Sequence, residues 1–65
     1  MNLTLKMAIV TSGKRQIVIA KHADMSEARL SRIVNGHDDP TEAEKRAIAR
    51  VLRRPVHEVF PEVAA

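Results

Sequence analysis

Turn-forming residues cut this chain into pieces too short to be anything but small helices or strands. Thr11-Ser12-Gly13, Asn35-Gly36, His37-Asp38-Asp39-Pro40, Pro55 and Pro61 interrupt the apolar pattern, and Asp24 breaks it once more. Glycine tolerates positive φ and proline lacks a backbone donor, so both punctuate regular structure. With 65 residues and no cysteine, the chain makes one domain at most, residues 1–65, without disulfides or thiolate metal ligands. Stability must come from economical packing of aliphatic side chains, since there is one Phe and no Tyr or Trp. That composition suits a helical bundle. It argues against a single-strand-binding surface, which needs aromatic platforms for base stacking.

Within the pieces, apolar spacing favours helices. Leu3, Leu5, Met7 and Ile9 alternate as in a strand, yet Leu5–Ile9 and Leu3–Met7–Val10 also fit helical spacing. A lone strand has no partner later in the chain, so a helix is expected, closed by Gly13. Gln16 to Ala23 reads as a second helix with Ile19, Ala20 and Ala23 on one face. Ser26 is suited to cap a third, in which Leu30, Ile33 and Val34 recur at three- and four-residue spacing before Asn35-Gly36. Thr41 and Glu44 have capping-box spacing, and Asp38 and Asp39 suit the positive end of the fourth helix. Ala43, Ala47, Ile48, Val51 and Leu52 form its expected buried stripe, and Pro55–Phe60 a short fifth helix. The expected fold is all-α, a compact bundle of four to five short helices.

Charge is unevenly distributed. Residues 1–36 carry six basic and two acidic side chains, net +4, whereas residues 37–65 carry five and six, net −1. A basic half-domain attracts polyanions. No apolar run approaches the length of a membrane span and no targeting pattern opens the chain, so a cytoplasmic protein is expected. His22, His37 and His57 are scattered and read as exposed side chains. Three adjacent loop residues, His37-Asp38-Asp39, are poorly placed to converge on one ion. No nucleophile motif, Gly-rich phosphate loop or carboxylate pair suggests catalysis, so a non-enzyme without metal, cofactor or small-molecule ligand is expected.

The informative unit is Gln16–Gly36: two short helices joined by a tight turn, with Ala20 at their closest approach. Ile19, Ala23, Met25, Leu30 and Ile33 supply their shared core, and Asp24 takes the turn position that usually demands a left-handed backbone. This pattern resembles the Cro/CI-type helix-turn-helix family of phage repressors and small bacterial regulators, also called the xenobiotic-response-element family. Ile19-Ala20 matches its Leu-Ala pair, Ala23-Asp24-Met25 its turn, and Leu30-Ser31-Arg32-Ile33 with Asn35-Gly36 the end of its recognition helix. Val56, Val59, Phe60 and Pro61 resemble its closing segment, so the likeness spans roughly the whole chain. Three positions depart from the pattern. An internal Arg–Glu pair falls on Ile9 and Val34, implying an apolar contact there. The turn Gly is Asp24, and the loop after Gly36 carries Asp38-Asp39 where basic or polar side chains face phosphates.

The resemblance implies a lambda-repressor-like DNA-binding domain whose helix from Ser26 enters the major groove. By position, Glu27, Ala28 and Arg32 are the implied base readers, with Arg29 and Ser31 reaching either base or phosphate. Gln16 resembles the phosphate clamp, and Lys14, Arg15, Ser26 and Asn35 are added backbone contacts. One such module covers little DNA, so a homodimer on operator half-sites is expected, assembled on DNA if not before. Its expected patch is Val56, Val59, Phe60 and Val63, within segment 55–65. The expected function is a sequence-specific, double-stranded DNA-binding transcriptional regulator of repressor or Cro type. The alternative is a protein-interaction module on the same fold, such as an antitoxin or antirepressor, whose acidic loop meets a protein.

Overall fold

Side-chain oxygens open three of the helices and left-handed residues close four. The computed structural model describes residues 2–61. They form α1 (Leu3–Ser12), α2 (Gln16–His22), α3 (Glu27–Val34), α4 (Glu42–Leu52) and α5 (Val56–Val59), with no strand among them. Asn2 Oδ1 accepts from the Leu5 amide at 3.0 Å, and Ser26 Oγ from the Arg29 amide at 3.1 Å. Thr41 and Glu44 form the complete capping box, in which each side chain accepts from the other residue's backbone N–H.

Helices α2, α3 and α4 end in the same way. The amide directly after each left-handed residue reaches back five positions: Met25 to Ala20 at 2.9 Å, His37 to Arg32 at 2.9 Å and Arg54 to Ala49 at 3.1 Å. This closure needs one residue at positive φ. Gly36 supplies it after α3 with φ 78°, but Asp24 (φ 61°) and Arg53 (φ 57°) supply it after α2 and α4. Asp24 therefore holds the strained turn position expected of it. Replacing Asp24 with Gly removes the Cβ conflict and should stabilise the chain by about 0.5–1 kcal/mol. That gain corresponds to a rise of roughly 2–8 °C in the thermal midpoint; an unchanged or lower midpoint would show that the Asp side chain relieves its own turn.

The core takes one fully buried large side chain from every helix: Leu5, Ile19, Leu30, Ile48 and Val59. Ala20 and Ala23 of the α2 end let α2 sit closely on α3, and Met25 in the turn packs against the same core. Helix α1 lies over α3, α4 and α5, and the Asn2 amide donates to the Val34 carbonyl at 2.9 Å. Ile9 and Val34 are both buried in that apolar core.

The α4 face differs from the sequence reading, and packing selects an α1 face that spacing left open. In α4 the buried residues are Ile48, Ala49 and Leu52, whereas Ala43 is exposed and Ala47 and Val51 are half-buried. At about 100° per residue Ala43 lies directly opposite Leu52, so both cannot face inward. In α1 the core takes Leu5, Ala8 and Ile9, leaving Leu3, Met7 and Val10 as an exposed apolar row.

Candidate nucleic-acid interface

Helix α3 has one face committed to the core and one to solvent. Leu30, Ile33 and Val34 point inward. At about 100° per residue, Ala28, Arg32 and the closing residue Asn35 fall on the opposite side, and all three are exposed. Glu27 is exposed in the first turn, where its charge favours the helix dipole. Ser31 is half-buried, and its hydroxyl accepts from Asn35 Nδ2 at 3.3 Å. The short helix α2 braces this unit from behind through Ile19, Ala20 and Ala23.

Arg29 stands apart from that row. It lies on the flank of α3, and its guanidinium turns towards the start of α4. Nε and Nη2 donate to the two carboxylate oxygens of Glu44 at 2.9 and 2.8 Å, a bidentate pair. Nη1 donates to Asp38 Oδ2 at 3.1 Å, and Nη2 also donates to the Asp39 carbonyl at 3.2 Å. Four of the five guanidinium N–H groups are thereby occupied. Arg29 is a strut between α3, the loop and α4. Glu44 Oε1 additionally accepts from the Thr41 amide at 2.8 Å. Arg29 and the Thr41 backbone together hold the Glu44 carboxyl down at about 2.

Arg32 keeps its outward position but has a partner. Its Nε donates to Asp38 Oδ2 at 2.6 Å and its Nη2 to Oδ1 at 3.4 Å. The same hydrogen bonds hold the Asp38 carboxyl below the usual carboxylate range. Asp38 thus serves the arginines of α3, while at the N-terminus of α4 the Thr41 and Glu44 amides are satisfied by the capping box. Two arginines meet two carboxylates, so this corner of the surface is close to neutral. Spacing gave no signal for Arg29–Glu44, which are fifteen residues apart.

The remaining basic and polar candidates are distributed around α2. Arg15, the residue before α2, is exposed and caps nothing with its side chain, while Gln16 opens the helix half-buried. Lys14 Nζ donates to the Val51 carbonyl at 3.2 Å, so it stabilises the last turn of α4 while its stem stays exposed. The Ser26 hydroxyl is engaged as the α3 cap.

Folding draws the described part of the expected dimer patch towards the core. Val59 and Phe60 are buried, 0% and 6% exposed, and Val56 is half-buried against them. Their apolar surface closes the bottom of the core, beneath α1 and α4. Val63 lies outside the described residues. The large exposed apolar side chains are instead Leu3, Met7 and Val10 on α1 and Ile17 and Val18 on α2. His22, His37 and His57 are exposed, and among the described residues no three His, Asp or Glu side chains gather as a metal set. No described helix is long and apolar enough to cross a membrane. No protein family matches the chain, and no curated protein or solved structure does so.

Proposed function

We propose that this chain is a sequence-specific double-stranded DNA-binding regulator of the bacterial cytosol, docking α3 in the major groove. The observation that carries this reading is the exposed row Ala28–Arg32–Asn35, held rigidly opposite the buried Leu30–Ile33–Val34 stripe. A helix so held fits the width of the major groove. Ala28 is suited to a thymine methyl, Arg32 to the N7 and O6 of guanine, and Glu27 to a cytosine amino group. Arg15, Gln16 and Lys14, at the start of α2, are assigned to phosphate contacts.

Two copies on adjacent half-sites supply the area that one module lacks. A free dimer needs roughly 800 Å² per partner. With Val59 and Phe60 inside the core, little of that area can come from these two residues, and association is assigned to the DNA-bound state.

Selection from a random duplex pool, followed by polarisation titrations at several salt concentrations, tests the reading. Binding of the selected duplex should weaken steeply with salt and exceed binding of its scrambled version. Arg32→Ala should reduce discrimination at one base pair by about 1–3 kcal/mol. A uniform loss on every duplex would make Arg32 a phosphate contact. No enrichment and no salt-dependent binding would leave the second reading, a protein-interaction module such as an antitoxin or antirepressor. The neutral Arg29–Arg32–Asp38–Glu44 corner favours that alternative, because it weakens the positive field that α3 would offer to phosphates.

A further inference from the structure

We propose that Asp38 is a positioning residue that presents Arg32 end-on to a guanine and suppresses its use as a general phosphate contact. The inference rests on the DNA-binding reading above and deepens it. Its basis is the side of the guanidinium that the carboxylate occupies. Asp38 takes the Nε–H at 2.6 Å and one Nη2–H at 3.4 Å. That side-on contact leaves both Nη1–H groups and the second Nη2–H free. These free groups form the end-on fork, the geometry that spans guanine O6 and N7.

Asp38 can orient Arg32 because Asp38 is itself held. Its Oδ2 also accepts from Arg29 Nη1 at 3.1 Å. Arg29 is fixed by Glu44, and Glu44 by the Thr41 amide at the start of α4. The loop backbone returns to the same residue, since the His37 and Asp38 amides donate to the Arg32 carbonyl at 2.9 and 3.4 Å. A continuous chain of contacts therefore runs from the α4 N-terminus to the tip of Arg32. The Arg32 side chain remains 57% exposed despite its partner, so the fork is accessible. Ordering a long side chain before binding removes an entropic cost that every unbuttressed arginine meets on the DNA.

The carboxylate has a second effect of opposite sign. A phosphate attracts any free arginine irrespective of sequence, but an arginine already paired to Asp38 offers it little net charge. The pair therefore lowers non-specific affinity while favouring the directional contact to guanine, and discrimination rises on both counts. Asp38 is ionised throughout the neutral pH range in which binding is measured, and the hydrogen bond from Arg32 lowers its pKa further.

The test is Asp38→Asn on the full chain, with the duplex obtained by selection, its variants at each guanine, and a scrambled duplex. Binding to the scrambled duplex should tighten about threefold or more, while preference for one guanine should fall at least fivefold. A merely structural role would weaken binding to all duplexes together. In the Arg32→Ala background, Asp38→Asn should leave the guanine preference unaltered, because its effect is routed through Arg32. Asp38→Ser must reproduce both changes, and a thermal melt of each variant establishes that it folds. Unchanged guanine preference, or equal loss on every duplex, overturns the proposal while the DNA-binding reading stands. Absence of binding to any duplex overturns both.

Discussion

Truncating Leu30 to alanine is expected to lower the unfolding free energy by about 2–5 kcal/mol. In a domain this small that loss lowers the thermal midpoint by roughly 8–40 °C. Leu30 is fully buried, and it is the one large side chain that α3 drives to the centre of the core beside Leu5, Ile19, Ile48 and Val59. Each helix contributes a single such anchor, so no neighbour on α3 replaces it; Ile33 and Val34 sit at the edges of the same stripe. A chain of this length has a total stability of only about 3–10 kcal/mol, so the loss is a large share of the whole. Leu3→Ala is the matched control, because Leu3 is 66% exposed and should change stability by less than about 0.5 kcal/mol. Urea or thermal melts of both variants decide the matter. Equal effects would mean that α3 is not held by its buried stripe.

Glu44→Ala is expected to destabilise by about 2–3 kcal/mol, although Glu44 is polar and sits in the first turn of α4. Two functions are lost at once. The capping box opens, leaving the Thr41 amide without its acceptor at 2.8 Å. Arg29 also loses its bidentate partner, and with its side chain only 31% exposed it is poorly placed to recover water. Partial exposure of both side chains keeps the estimate below that of a fully buried pair. Glu44→Gln separates the two contributions, since an amide oxygen still accepts from Thr41 but carries no charge for Arg29. It should cost about half as much.

The same pair makes stability depend on acid. Glu44 titrates at about 2 in the folded chain, against an ordinary value of 4.5. A depressed folded value means that the unfolded chain binds the proton first as pH falls. The contribution is complete above about pH 4.5 and is lost progressively as pH drops towards 2. Asp38 shifts in the same direction, so Glu44→Gln should flatten this acid limb without abolishing it. A wild-type melting midpoint that is unchanged between pH 5 and pH 2.5 would contradict the Arg29–Glu44 pairing.

Local chemistry in the sequence accounts for much of the backbone. The Ser26 cap, the Thr41–Glu44 box, the left-handed Asp24 and the Asn35-Gly36 stop all involve residues within a few positions of one another. Such interactions are decided by side-chain type and chain stiffness, and their spacing can be read without knowing what packs where. The buried faces of α2 and α3 were legible for the same reason, since Ile19, Ala20, Leu30 and Ile33 repeat with the helical period.

Where apolar residues surround a helix, periodicity loses its meaning. In α1, Leu3, Met7 and Val10 are as apolar as Leu5 and Ile9, and only docking against α3, α4 and α5 selects the inward face. The closing segment is similar, because Val59 and Phe60 suit an interface as well as a core until α1 and α4 cover them.

From residue types and their spacing alone, this chain is an all-helical bundle in which a helix capped by Ser26 carries a buried stripe on one side and polar residues on the other. The roles of those polar residues depend on partners remote in sequence. Arg29 and Arg32 look alike on the helix, yet α4 and its loop bring Glu44 and Asp38 to them, leaving Arg29 as a strut and Arg32 outward. The physical reason is range. Caps and turns act over one helical turn, whereas an ion pair fifteen residues apart exists only after the helices have packed.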